Sequence, residues 1–170
     1  AEVIAIHEDA NFGEKINAGC GSTHLESLIQ LVEEKQLDFG AAFDGDGDRC
    51  LMIDQNGQII DGDDMIVILA NYLGIPEVCV TIMANKGLLR WAEKTGIKIA
   101  MTDVGDQNVS AKMREDGILL GGEQSGHIIL PGEPMGDGVL TALVITKILS
   151  EAREKFNHED TLLADYQDRK

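Results

Sequence analysis

Leu37-Asp38-Phe39-Gly40-Ala41-Ala42-Phe43-Asp44-Gly45-Asp46-Gly47-Asp48-Arg49 is the stretch on which the reading of this chain turns. Residues 37–43 are short, apolar and without helical period, which predicts a buried strand. The three carboxylates that follow at alternate positions cannot converge cheaply. Two unit charges ~4 Å apart repel by roughly 4 kcal/mol at the effective dielectric of a protein surface. A chain that crowds them so is built for a cation, and the interleaved glycines are expected to curl the backbone through positive φ. Oxygen-only ligation with few protein ligands suits magnesium, with Asp44, Asp46 and Asp48 as its ligands. A calcium loop of the EF-hand type would need Gly at its sixth position and an acid at its twelfth. Those positions hold Arg49 and Gln55, so that reading fails. Ligand sites of open α/β sheets lie beyond the carboxyl ends of strands, where this loop falls.

The 170 residues suffice for one large or two small domains, and 44% apolar content supports a packed core. A net charge of −16 argues against a nucleic-acid partner and an anionic membrane surface. No apolar run is long enough to span a bilayer and no signal peptide is visible. Cys20, Cys50 and Cys79 are odd in number and lack metal spacing, so they read as reduced cytoplasmic thiols. Residues 1–6 already look like a strand, and the far end stops without a turn signal. Both ends are expected to be cut from something longer.

Downstream, Thr23 and Glu26 offer a capping box for a helix over 24–36, whose buried side carries Leu25, Leu28, Ile29 and Val32. His24 reads as a surface residue. Asn56-Gly57 predicts a hairpin between 50–53 and 58–60, with both turn positions at positive φ. The acids Asp61, Asp63 and Asp64 open a helix to residue 72 and read as structural, before Gly74 and Pro76 close it. Strands are expected over 78–83, 97–101, 118–120 and 127–130. Helices are expected after Asn85, over 106–115 and over 137–156, and Trp91 belongs to the core. Strands interspersed with helices throughout predict α/β layers with mixed sheets.

A second polar loop, Gly121-Gly122-Glu123-Gln124-Ser125-Gly126-His127, lies between two short strands. Glu123 and Ser125 are two apart and, in an extended stretch, would point the same way. A carboxylate beside a hydroxyl suits the vicinal hydroxyls of a sugar. A polar Gly-rich hairpin tip is also a common structural feature.

Taken together, the two loops resemble the α-D-phosphohexomutase superfamily, and the Gln124 form is most similar to the bacterial phosphoglucosamine mutases. Residues 20–24, 61–63, 102–106 and 136–138 support the likeness over nearly the whole chain. The resemblance implies two small three-layer α/β/α domains: a metal-loop domain over 1–75 lacking its opening strand, and a sugar-loop domain over 76–157. Residues 158–170 would be a tail or a linker to a fourth domain. It further implies Mg²⁺ on Asp44, Asp46 and Asp48, and Arg49 beside the transferring phosphoryl group. Glu123 and Ser125 would hold sugar hydroxyls, and His127 would be a proton-transfer or positioning group. The family reaction runs through a phosphoserine and a sugar bisphosphate, here between glucosamine 6-phosphate and glucosamine 1-phosphate. The alternatives are a phosphomannomutase/phosphoglucomutase or a non-catalytic metal or sugar-phosphate module. The Ser-His-Asn-Pro and Ser-Gly-Thr-Glu-Pro stretches of the first and fourth family domains do not occur here, so this chain alone is expected to be inactive. Gln107 departs from the Arg usual after Val-Gly-Asp.

Overall fold

The computed structural model describes residues 2–6 and 13–156, with the side chains of 153–156 excepted. The expected tail at 158–170 lies outside the described residues. So does part of the first expected strand, and the remainder, 2–6, is not strand: Val3 is 86% exposed and no sheet edge receives it.

A short 3₁₀ turn at Gly13–Lys15 precedes helix α1, Glu26–Lys35. The Thr23–Glu26 capping box does not form. His24 N donates to Gly21 O, closing a separate turn that contains Thr23, and the helix starts from Leu25 with no side-chain cap. Strands β1 (Phe39–Phe43), β2 (Cys50–Asp54) and β3 (Ile59–Ile60) form one antiparallel sheet in the order β1-β2-β3. The mixed character expected of this sheet is therefore absent among the described residues. The β2–β3 turn keeps only Gly57 left-handed, at φ 77°; Asp54 Oδ1 accepts from the amides of Asn56 and Gln58 and holds the rest. Asn56 is thereby spared the strained φ that a two-residue turn would demand.

Strand alternation sends the two faces of this sheet to different partners. Ala42, Leu51 and Ile53 pack with Leu25, Leu28 and Val32 of α1 and its entry. A Cβ on Gly40 would lie 2.9 Å from Leu28 and Val32, so α1 sits directly on the strand. Phe39, Ala41, Phe43, Cys50 and Met52 face the other way, into the main core. There the covering helix is α5, Gly138–Phe156, from the far end of the chain.

Helix α2, Gly62–Leu73, is buried on all sides from Gly62 to Ala70, as befits a helix apolar all round. Asp61 and Asp64 form a capping box, and Asp63 accepts from the Asn85 amide at 2.7 Å, so these acids are structural as expected. Strands β4 (Glu77–Thr81), β5 (Lys98–Thr102), β6 (Leu120–Gly122) and β7 (Ile128–Ile129) make the second sheet, ordered β5-β4-β6-β7. β4 is parallel to β5 and β6, whereas β7 is antiparallel to β6. Strand β4 ends two residues early because Ala84 N turns back to Thr81 O. Helix α3 (Lys86–Thr95) is capped by Asn85, and Trp91 on it is 4% exposed in the core. Helix α4 (Asp106–Asp116) covers one face of this sheet through Val109 and Met113 against Cys79, Ile118 and Ile129. Helices α2 and α3 cover the other.

Both sheets are thus three-layered, but they share one core. Cys50, Met52 and Ile60 from the first unit lie in one cluster with Val78, Leu120, Ile128 and Ile145. Burial of each such side chain is worth about 1.5–3 kcal/mol, so this seam is a major source of stability. No described helix is long and apolar enough to cross a membrane.

Candidate functional site

The loop Asp44–Arg49 is the connection from β1 to β2, so the first sheet aims it from an antiparallel pair. Gly47 N donates to Asp44 O and Arg49 N donates to Asp44 Oδ1 at 3.1 Å, which closes the loop on itself. Gly47 takes φ 75°, as the alternation of acids and glycines suggests. Gly45 does not; a Cβ there would lie 2.5 Å from the exposed Ile16 side chain, which would have to shift. One carboxylate oxygen each from Asp44, Asp46 and Asp48 falls within 4.8 Å of the others. The three predicted ligands are therefore brought together.

Arg49 Nε lies 2.7 Å from Asp44 Oδ2 and 3.6 Å from Asp48 Oδ1. The Asp44 side chain is only 4% exposed. Burial pushes its pKa up, but the Arg49 amide and guanidinium outweigh it and hold the carboxyl below its ordinary value. Asp48 is shifted the other way: burial and the neighbouring Asp44 charge raise it, against the hydrogen bond from His127. Burial lowers the Arg49 pKa, yet Asp44 beside it leaves the net shift upward. Three hard oxygen donors in one concave loop, one of them destabilised as an anion by its neighbours, are a donor set for a hard divalent cation.

The second loop meets the first. Arg49 and His127 form an antiparallel bridge, Cys50 N donates to Gly126 O at 3.1 Å, and His127 Nδ1 stands 2.9 Å from Asp48 Oδ2. His127, at 4% exposure, thus reaches an aspartate of the first loop rather than solvent. Glu123 is half-buried and its Oε1 accepts from Gly105 N at 3.0 Å, while Ser125 is exposed at the tip. The tip is a turn closed by Gly126 N to Glu123 O, so the strand alternation expected to align Glu123 with Ser125 does not apply. Gln124 points away, its Nε2 3.4 Å from Asp61 Oδ2.

Sequence reasoning missed the supports of this site. Gly105 N was invisible because backbone donors leave no residue signature. Gly136 and Gly138 stood out only as part of a Gly-Asp-Gly stretch; what they press against is non-local.

Two three-layer α/β/α units thus bring a carboxylate loop against a polar hairpin, an arrangement of the α/β class with a candidate site at the junction. The family description "Phosphoglucomutase/phosphomannomutase, alpha/beta/alpha domain II" matches residues 2–57, and "alpha/beta/alpha domain III" matches residues 61–166. The chain belongs to the phosphoglucomutase/phosphomannomutase family. It is 45% identical over 164 residues to the phosphoglucosamine mutase of Clostridium tetani, covering 92% of this chain and 36% of that one. It is 47% identical over 145 residues to that of Deinococcus deserti, covering 85% and 33%. The chain thus spans about a third of the length of these relatives. Among solved structures, a phosphoglucomutase/phosphomannomutase family protein of Burkholderia thailandensis matches with TM-score 0.70 at 29% identity, over 77% of this chain and 31% of that one. The fold is also that of Aspergillus fumigatus N-acetylphosphoglucosamine mutase, described in complex with GlcNAc-6P and magnesium. That match has TM-score 0.70 at 21% identity, over 95% and 39% of the two chains.

Proposed function

We propose that this chain is the central part of a magnesium-dependent phosphosugar mutase that interconverts glucosamine 6-phosphate and glucosamine 1-phosphate. The observation that carries the reading is the meeting of the aspartate loop with the polar hairpin through His127 and Asp48. The names of the relatives at 41–47% identity support the choice of sugar. Asp44, Asp46 and Asp48 are the residues that would hold Mg²⁺, which when bound neutralises charge on a transferring phosphoryl group. Arg49, 43% exposed beside these acids, would attract phosphoryl oxygens. Glu123 would accept from a sugar hydroxyl while Gly105 N fixes its carboxylate, and Ser125 would supply a second contact from the tip. His127 meets Asp48 at 2.9 Å and would act as a proton-transfer or positioning group.

Phosphoryl transfer of this kind rests on positioning and charge stabilisation more than on covalent activation. The phosphoserine donor and the bisphosphate intermediate belong to the family reaction; the donor stretch does not occur in these residues. The free thiols Cys20, Cys50 and Cys79 suit a cytoplasmic setting. We also propose that the unit boundary lies between β3 and α2, at residue 61, rather than at the expected 75/76. Packing of α2 on the second sheet and the span of the two family matches support this.

The test is a mutase assay with a bisphosphate activator, on the 170-residue chain and on a longer protein that contains it. We expect turnover only with the longer protein and a preference for glucosamine phosphates. A preference for mannose phosphates would transfer the assignment to the phosphomannomutase branch. Turnover by the 170-residue chain alone would refute the need for a donor serine from elsewhere.

A further inference from the structure

Four glycines line the seam between the two loops, and two of them differ in kind from the rest. Gly62 and Gly126 support the hairpin: a Cβ on either would fall on the Glu123 or Cys50 carbonyl. Gly136 and Gly138 instead face the aspartate loop. Both are buried, and neither has a positive φ. Backbone conformation therefore does not require glycine at either position; the neighbouring atoms do. A Cβ on Gly138 would stand 2.6 Å from Arg49 O and 2.9 Å from Gly47 O. A Cβ on Gly136 would stand 2.5–2.8 Å from three atoms of the His127 ring.

Hydrogen bonds turn this closeness into restraint. The first four amides of a helix lack partners within it. In α5, Asp137 Oδ1 accepts from Leu140 N, and the Gly138 amide donates out of the helix to Gly47 O at 2.9 Å. The tip of a long core helix is thus bonded to the peptide between Asp46 and Asp48. One step away, Gly136 backs the His127 ring, whose Nδ1 meets Asp48 Oδ2 at 2.9 Å. The loop is gripped at its backbone by Gly138 and at one carboxylate by the Gly136–His127 stack.

We infer that Gly136 and Gly138 are positioning residues for the aspartate loop, holding Asp48 and the Gly47–Arg49 peptide in the geometry that gathers the three carboxylates. The inference deepens the proposed metal reading and rests on it for its consequence, though its structural half stands apart from any metal. It implies that the two units do not slide past each other at this seam, because a shift at the α5 tip would carry the loop with it.

The experiment compares the 170-residue chain with Gly138→Ala, Gly136→Ala and the solvent-facing control Gly13→Ala. In the metal-free protein, amide exchange by NMR should speed up about tenfold or more at Arg49 and Cys50 in Gly138→Ala. Amides of β4 and β5 should keep their wild-type protection. Wild-type exchange at Arg49 and Cys50 overturns the inference, and so does an equal loosening of β4 and β5, which would make the glycine merely structural. Mn²⁺ affinity, read by electron paramagnetic resonance, should fall about 10–100-fold in Gly136→Ala, the usual cost of disturbing a ligand's support. It should fall no further in the Gly136→Ala/His127→Asn double variant than in His127→Asn alone. Additive losses overturn the route through His127, and this arm decides the matter if Gly138→Ala does not fold. Wild-type Mn²⁺ binding no tighter than that of Asp46→Asn would refute metal binding by these 170 residues alone and leave the exchange result to judge the positioning role.

Discussion

The two polar loops of this molecule differ in how much charge each must compensate and in how far each reaches for its partners. The Asp44–Arg49 loop carries its own closing bonds, Gly47 N to Asp44 O, Arg49 N to Asp44 Oδ1 and the Arg49–Asp44 ion pair, with outside support from Gly138 N and His127. The 123–126 tip closes locally through Gly126 N to Glu123 O and Glu123 N to His127 O, and it draws further bonds from distant chain: Gly105 N, Gly62 N, Cys50 N and the Asp61 carboxylate. A loop of like charges must contain its own counter-charge and donors, or it opens before anything binds. The Gly-rich tip carries one carboxylate, Glu123, which accepts from Gly105 N, so it has no such crowding of charge and takes its shape from what packs around it. Local bonds leave marks in local sequence, and distant ones do not.

The contrast can be broken from the outside first. Gly126→Ala puts a side chain at φ 94° and its Cβ 2.1 Å from the Cys50 carbonyl. Strain and overlap together should cost about 3 kcal/mol. In a scanning-calorimetry trace that is a fall in Tm of about 6–12 °C. A fall within the error of the trace would show that the tip does not depend on this contact.

Attack from the inside should cost less, because Arg49 is 43% exposed and water screens the charge left behind. Asp44→Asn should lower stability at pH 7 by about 1–2 kcal/mol in urea denaturation. The pH dependence sharpens the point. The Asp44 pKa is depressed in the folded state, so its contribution is complete above the ordinary carboxylate value and is lost as pH falls through the folded one. The gap between wild type and variant should therefore close below about pH 4. A gap that stays constant down to pH 3 would detach the effect from ionisation of Asp44.

The smallest effect is expected at Gln124. Its 3.4 Å contact to Asp61 is long and exposed, whereas its backbone carbonyl accepts from Gly62 N whatever the side chain. Gln124→Met should change stability by less than about 0.5 kcal/mol in the same urea titration. A larger loss would mean that the tip depends on this side chain as well as on backbone.

The aspartate triplet, Arg49 and the capping acids Asp61 and Asp64 were legible because each acts within a few residues of its partner. The α1 cap was misread because Thr23 belongs to a turn closed by Gly21, a competing local bond of similar strength. Strand alternation misplaced Glu123 and Ser125 because the five residues between the two short strands fold into a turn closed by Gly126 N to Glu123 O. The β2–β3 turn was expected to need Asn56 left-handed; Asp54 removes that need from outside the pair.

The order of residues alone determined most of the strands and helices, and it set three acids at alternate positions in a loop that lets their carboxylates converge. Tertiary structure decided where those elements meet. It laid α5 from the chain's end across the first sheet, joined both units in one core, and brought His127 to Asp48 across 79 positions of sequence. The reason is physical: hydrophobic burial is non-directional and says only that surfaces must be covered, whereas the partner that covers each is chosen by close packing and by hydrogen bonds between distant backbones.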